Sequence, residues 1–294
     1  MDEKEMVQLV RKKFPTFQWG KYSFYNQGCD HDVIIFDNKT VFRVPKSKEY
    51  KEKIADEKRL LDYLGKHVKA SVPQFAYVSK KEHLVQYDIV PGKELTVSRY
   101  RRMTAQEKKS FARQVAFFLT ILHETPFSIA KRCKIAVDVQ TKIFEKVQNE
   151  SAQYIFPYVR KKDAHTMDVY MNDAIDLINT SSFVPVLTHG DMTEDHILWD
   201  AQRKKIGIID FSDYAWTDPA LDFTGLWKYG KKFVEQVYDF YKGEKDPLFF
   251  ARSHVYYKRI PLYLMKDAQK RNNAATASDF QDGYTMYEKR FRIT

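Results

Sequence analysis

Cysteine is scarce. Cys29 and Cys133 are the only two in 294 residues, too few for a disulfide framework and suited to a reducing compartment. Long apolar runs are lacking too. The densest, VAFFLTIL at 115–122, is far too short to cross a bilayer. The first residues, MDEKEMVQLVRKKF, bring acids early and no apolar core, which argues against a secretory signal. Repeats, low-complexity blocks, an arginine-rich tail, zinc-finger spacing and an aromatic RNA-binding signature are all missing. The expectation is a soluble, cytoplasmic protein, monomeric, with neither a membrane nor a nucleic acid as partner.

What the chain does have is apolar surface enough for a core, with 44% hydrophobic and 15% aromatic residues. The formal net charge is +10, but its cations are scattered through RYRRM, EKKS, RKKD, RKK and KYGKK. They alternate with acids as solvated faces do. Such a surplus suits small polyanions such as nucleotides better than it defines a nucleic-acid surface.

The first part of the chain mixes strands with one helix. DVIIFDNKTVFRVPK reads as a hairpin, with two β-branched runs around the turn-forming DNK. SKEYKEKIADEKRLLDYLGKH reads as a helix, with Ile54, Leu61 and Leu64 at helical spacing and Gly65 as its stop. VPQFAYVS and EHLVQYDIV are two further strand-like runs, ended by Pro91-Gly92. Beyond them the character changes. TAQEKKSFARQVAFFLTILHE is an amphipathic helix with Phe111, Val115, Phe118 and Leu122 on one face. Helical patterns return over 163–180 and from about 230 onward. The predicted class is α+β in two lobes: a small sheet-rich lobe at 1–88 and a larger helical lobe at 89–294, joined near 86–92.

Glu57 lies on or beside the apolar stripe of the first helix. A buried carboxylate costs several kcal/mol unless it is paired, and Arg43 on the preceding strand is the candidate cation. With a period of two, Val41, Arg43 and Pro45 share one face while Phe42 and Val44 share the other.

The chemistry concentrates at 188–213, THGDMTEDHILWDAQRKKIGIIDFSD. FVPVLTHGD runs an apolar strand into a turn that carries Asp191. HILWD and KKIGIID then read as a hairpin around AQRK. His196 begins its first strand and Asp210 ends its second, so both can converge beside the Asp191 loop. A carboxylate that accepts a hydroxyl proton, next to ligands for a cation that neutralises triphosphate oxygens, is what phosphoryl transfer needs.

HGDMTEDHILWD followed by IGIIDFSDYAWTDPALDF resembles the centre of the aminoglycoside phosphotransferases, which share the protein-kinase-like fold. The likeness is to the 2″-phosphotransferase branch and to macrolide 2′-phosphotransferases. It is sharp over 186–225, plausible over 28–95 and weak elsewhere. The resemblance implies an alcohol-acceptor kinase with Mg2+ and ATP or GTP as co-substrate. Asp191 would be the catalytic base, His196 and Asp210 the magnesium ligands, and His189 a brace for the loop. Asp213 would shape the site; Asp218 would cap or anchor the following helix, and Asp222 would hold the catalytic loop. Gly28, within NQGCDHDV, would belong to the loop over the phosphates. Arg43, held by Glu57, would meet the phosphates in the nucleotide site, and the backbone of Gln86, Tyr87, Asp88 and Ile89 the purine.

Two departures stand out. Arg43 occupies the place where many members carry a lysine, and its planar fork is not a point charge. Lys228, Lys231 and Lys232 follow DPALDF, where enzymes for polycationic aminoglycosides collect carboxylates; facing the pocket, they would repel a polyamine. Trp216, Trp227, Tyr229, Tyr256 and Tyr257 would suit a larger, less charged ligand. The acceptor is therefore an aminoglycoside, a macrolide or another hydroxylated metabolite. A nucleotide-binding regulator without turnover is the rival from another class.

Overall fold

The computed structural model describes residues 1–26, 30–79, 81–273 and 275–291. Its first element is a helix that the sequence reading did not include, α1 (Glu3–Lys13). A capping box starts it: Asp2 accepts the Glu5 amide at 2.8 Å and Glu5 accepts the Asp2 amide at 2.8 Å. Its apolar stripe is short, yet Met6 and Val10 are fully buried against Ile34, Phe36, Phe42 and Val44. Those residues belong to a five-stranded antiparallel sheet of β1 (Tyr22–Tyr25), β2 (His31–Phe36), β3 (Thr40–Pro45), β4 (Tyr77–Val78) and β5 (Val85–Asp88), in spatial order β1-β2-β3-β5-β4. Asp37 and Asn38 take positive φ at the β2–β3 turn, as the DNK signal predicts. VPQFAYVS supplies only the two residues of β4, much less strand than its composition suggests.

α2 (Lys48–His67) crosses the sheet face opposite α1 and does not stop at Gly65. The glycine serves packing. A Cβ there would meet the Gln74 amide at 2.6 Å, and that amide donates to the Leu61 carbonyl at 3.1 Å.

After Asp88 the chain enters β6 (Lys93–Glu94), which pairs with β8 rather than with the first sheet. There follow α3 (Val97–Arg102), α4 (Ala105–His123), α5 (Phe127–Arg132), α6 (Gln140–Tyr154) and α7 (Lys161–Asn179). Next come β7 (Val186–Thr188), β8 (Ile197–Asp200), β9 (Lys205–Ile208) and β10 (Ala215–Thr217). The chain ends in α8 (Lys231–Phe240), α9 (Phe249–Arg271) and α10 (Thr276–Phe291). β7 pairs with β10, and β6, β8 and β9 form a second small sheet. Phe111, Val115, Phe118 and Leu122 of α4 are all buried in the main core. That core runs without a break from α2 to α10, so the helical part is one packed body behind the small sheets. Ser71, just past α2, exchanges backbone bonds with Ile206 and Ile208 of β9 at 3.0 and 2.8 Å, tying the two parts of the chain together. No described helix is long and apolar enough to cross a membrane.

Met6→Ala removes a fully buried side chain from the contact between α1 and the sheet. Its unfolding free energy should fall by about 2–5 kcal/mol in urea titrations; an unchanged midpoint would contradict the packing of α1.

Candidate active site

β7 delivers His189, Gly190 and Asp191 to a turn, and Gly190 is there by necessity. Its φ is +87°, and a Cβ would sit 2.1 Å from the Asp213 carbonyl oxygen. The turn is held from beneath by Asp222, fully buried, in the 3₁₀ turn Pro219–Phe223. Its two oxygens accept the His189 and Gly190 amides, each at 2.9 Å. A third partner comes from α4: His123 Nε2 lies 3.0 Å from Asp222, and His123 Nδ1 lies 2.6 Å from the Tyr241 hydroxyl. The His189 side chain is fully buried and braces the same loop. Its Nε2–H donates to the Ile209 carbonyl at 3.1 Å, and its Nδ1 accepts the Asp191 amide at 3.3 Å. Burial lowers its pKa, so one neutral tautomer satisfies both bonds.

Asp191, His196 and Asp210 converge above that turn. His196 Nδ1 is 3.2 Å from Asp191 Oδ2 and 3.0 Å from the Asp191 carbonyl oxygen, and its Nε2 is 3.6 Å from Asp210 Oδ2. Both side chains lie just outside the hairpin: β8 starts at Ile197, after His196, and β9 ends at Ile208, two residues before Asp210. Asp210 has a φ of +63°, uncommon for a side-chain-bearing residue, and accepts the Ser212 hydroxyl at 2.6 Å. Burial lowers the His196 pKa, but the bonds and charge of Asp191 outweigh it, with Asp210 adding to them, and the ring is raised to about 9. Asp210 is lowered: the Ser212 hydroxyl, His196 and Arg43 outweigh its burial. Asp213 goes the other way. Desolvation first, then the charges of Asp191, Asp30 and Asp210, push its carboxyl up to about 6, although the side chain keeps an exposed edge.

The sheet contributes a cation. Arg43 Nη2 donates to Glu57 Oε2 at 2.6 Å with both side chains buried. The guanidinium also lies 5.1 Å from the Phe75 ring centroid, and its buried Nε has no partner among the described residues. Burial raises the Glu57 carboxyl against the pull of Arg43. Of the segment expected at the purine, Gln86, Tyr87 and Asp88 lie in β5 opposite Phe42, Val41 and Thr40. The Gln86 carbonyl already accepts the Ala76 amide at 2.9 Å, and the Ile89 amide donates to Lys39 at 2.7 Å. The Ile89–Lys39 bond makes Tyr87–Val41 the next bonded pair of the ladder, so the Tyr87 peptide also faces β3, and of the four only the Asp88 peptide points away from that strand unspent. Gly28 lies outside the described residues.

Other groups at the site went unnoticed in the sequence. Asp30, in the β1–β2 loop, is near enough to Tyr50 of α2, Ser212 and Asp210 to feel all three, and desolvation raises its pKa. His31, nearly buried, is pushed down to about 3 by desolvation and the Arg43 charge, so it stays neutral. Nothing in local pattern marks these residues, because their partners lie in distant segments.

Asp218 is fully buried in the helical part. It caps the 3₁₀ turn through the Ala220 amide at 2.9 Å, and it receives Arg252 Nε and the Tyr256 hydroxyl, each at 2.6 Å. The lysines divide. Lys228 pairs with Glu194 at 3.2 Å, whereas Lys231 is exposed and reaches Glu235 at 3.8 Å; Lys232 is exposed. Tyr229 and Tyr256 are core residues, Trp216 packs on Phe127 at 4.9 Å between centroids, and Trp227 and Tyr257 remain half-buried. Surface cavities of about 370–700 Å³ lie elsewhere, lined by none of Arg43, Asp191, His196 and Asp210.

A family model described as "Phosphotransferase enzyme family" (APH) matches residues 21–249. Among solved structures, the GDP and kanamycin complex of APH(2″)-IIia shares 23% identity over 99% of each chain, with a TM-score of 0.89. ADP-bound APH(2″)-Ib shares 17% identity over 99% of each chain, with a TM-score of 0.75. Macrolide 2′-phosphotransferase type I shares 20% identity over 96% of this chain and 97% of its own, with a TM-score of 0.72. At these identities the likeness establishes the fold, a two-lobed kinase-like one.

Two outcomes follow from the geometry. Asp222→Ala leaves two buried amides and the His123 ring without their acceptor, so unfolding free energy should drop by about 3–5 kcal/mol in denaturant titrations. His196 is raised above its ordinary 6.5 toward about 9. Its contribution to stability is therefore full below pH 6.5 and fades as pH rises through 9. Histidine-ring NMR of the ligand-free protein should show this imidazolium still charged at pH 8; a midpoint at or below 6.5 would contradict the pairing.

Proposed function

The chain belongs to the phosphotransferase enzyme family, and we propose that Asp191 is the group on which its transfer of a γ-phosphoryl from ATP or GTP to a small-molecule hydroxyl turns. The observation that carries this is the convergence of Asp191, His196 and Asp210 within 3.2 and 3.6 Å contacts on a turn clamped by Asp222. In the reaction the acceptor oxygen bonds to the γ-phosphorus. The bond from that phosphorus to the bridging oxygen breaks, and the nucleoside diphosphate departs with its electrons. The hydroxyl proton passes to the Asp191 carboxylate, whose partly exposed side chain is oriented by His196 and the His189 brace. Arg43, fixed by Glu57, supplies positive charge toward the phosphates. His31, neutral, adds no charge there.

Magnesium fits the donor set. No group of three or more His, Cys, Asp or Glu side chains among the described residues forms a ready metal cage. Mg2+ bound with a nucleotide needs none, since phosphate and water oxygens fill most of its octahedron. Asp210 would hold the ion, with His196 giving up its proton to join it. When bound, the ion neutralises phosphate charge as transfer proceeds. The acceptor is a hydroxylated small molecule; fold relatives include enzymes named for aminoglycosides and for macrolides, and the choice for this chain rests on its own residues.

Asp191→Asn should keep the fold and lower phosphate transfer by about 10²–10⁴-fold, read by mass spectrometry of a sugar and antibiotic panel with ATP and GTP. Unchanged turnover in a folded variant would remove Asp191 from the chemistry. Slow Mg2+-dependent hydrolysis of nucleotide by the wild type, lost in Asp210→Ala, separates an enzyme from a binding-only regulator; a wild type that binds nucleotide but never hydrolyses or transfers favours the regulator.

A further inference from the structure

Gly225 packs so closely on the catalytic segment that a Cβ there would sit 2.1 Å from the Met192 carbonyl oxygen. The 3₁₀ turn it opens, Gly225–Tyr229, carries Trp227 out from that contact. Trp227 Nε1–H donates to the Ser253 hydroxyl at 3.2 Å, which fixes the indole against α9. Its ring stands 4.5 Å from His254 and 6.3 Å from Tyr257, the latter tilted by only 25°. His254 and Tyr257 are themselves 6.3 Å apart at 29°. Three half-buried rings from two elements thus form a shelf beside the tail of the Asp191 loop.

Among the described residues, cations outnumber carboxylates around that shelf, and the carboxylates nearby, Glu194 and Glu235, lie against Lys228 and Lys231. Arg290 of α10, buried, lies 3.7 Å from the Tyr257 ring centroid and donates to the Tyr257 carbonyl. Lys258 is half-buried, 5.0 Å from the Phe291 ring centroid. Lys231 stands at the start of α8 with only the long Glu235 contact. Among the described residues, no carboxylate is among the groups acting on His254, Lys258 or Arg290. Desolvation is the first cause lowering all three. A cation taken from water without a counter-charge is costly, and an arriving oxyanion would offset that cost while its apolar part covers the rings. Lys228, by contrast, is already neutralised by Glu194.

We infer that the Trp227–His254–Tyr257 shelf, with Arg290, Lys258 and Lys231 around it, is an acceptor subsite for a hydroxylated small molecule bearing an oxyanion next to an apolar ring. That this ligand is the acceptor rests on the phosphotransferase reading; the charge preference itself does not. A polycationic acceptor is disfavoured here by the same charges.

A matched trio tests it: 4-nitrophenyl β-D-glucuronide, 4-nitrophenyl β-D-glucoside and 4-nitrophenyl 2-amino-2-deoxy-β-D-glucoside. They share the ring and most hydroxyls and differ in charge. Calorimetric titration of the full chain should show the glucuronide binding about tenfold or more tighter than either of the others. That ratio should collapse in Arg290→Gln and shrink in Lys258→Gln and in the exposed Lys231→Gln, while Arg290→Lys retains most of it. Should Arg290→Gln fail to fold, the two lysine variants carry the comparison. Equal or tighter binding of the amino sugar, or a ratio untouched by folded variants, overturns the subsite. Charge-selective binding without phosphate transfer would keep the subsite and count against the transfer reading. Nucleotide hydrolysis without charge selection would do the reverse.

Discussion

One buried carboxylate organises the active segment. Asp222 accepts both consecutive amides of the turn that presents Asp191, and it takes the ring of His123 as a third partner. Backbone amides buried without an acceptor are expensive, so the turn has a single satisfied position. The left-handed Gly190 and the His189 brace follow from it, because the chain must bend sharply just where Asp213 passes beneath. Rigidity there matters: an oxygen that receives a proton in a transition state works only if its place is set beforehand. The relay through His123 to Tyr241 extends the same constraint into α4 and the end of α8.

Above the clamp, the site is an arrangement of opposed charges brought from different elements. Desolvation, and after it the crowding charges of Asp191, Asp30 and Asp210, hold Asp213 well above an ordinary aspartate. His196 and Arg43 offset that crowding in the free protein. A divalent cation would take over the role on binding. The pairing of Arg43 with Glu57 rather than with the aspartates keeps the cation on the sheet side, where the proposed reaction would seat the nucleotide phosphates.

How much of this can be read from the residues depends on how local the cause is. Asp191, His196 and Asp210 fall within twenty residues, and a strand, a turn and a hairpin bring them together, so their spacing carried the signal. Glu57 showed itself as an acid on an apolar stripe. Gly65 misled because a glycine near a helix end reads as a stop, while here a neighbouring amide crowds it. α1 stayed hidden because its buried stripe is only Met6 and Val10 in a charged segment. Asp30, His31, Tyr50 and Ser212 come from segments far apart in the chain, and no periodicity encodes such a meeting. The hinge backbone is equally silent, since its bonds do not depend on side-chain identity. The aromatic shelf draws on residues 227, 254, 257 and 290, which only the tertiary fold makes neighbours.

The central claim is that Asp191, His196 and Asp210 meet a nucleotide's terminal phosphate at a shared cation. A crystal structure of the protein with Mg2+ and a non-hydrolysable ATP or GTP analogue tests it most directly. The account predicts the ion held by Asp210 and His196, with the γ-phosphate between them and Asp191 and with Arg43 on the phosphate side. A nucleotide seated away from Asp210, or an ion bound without either of those two side chains, would contradict it.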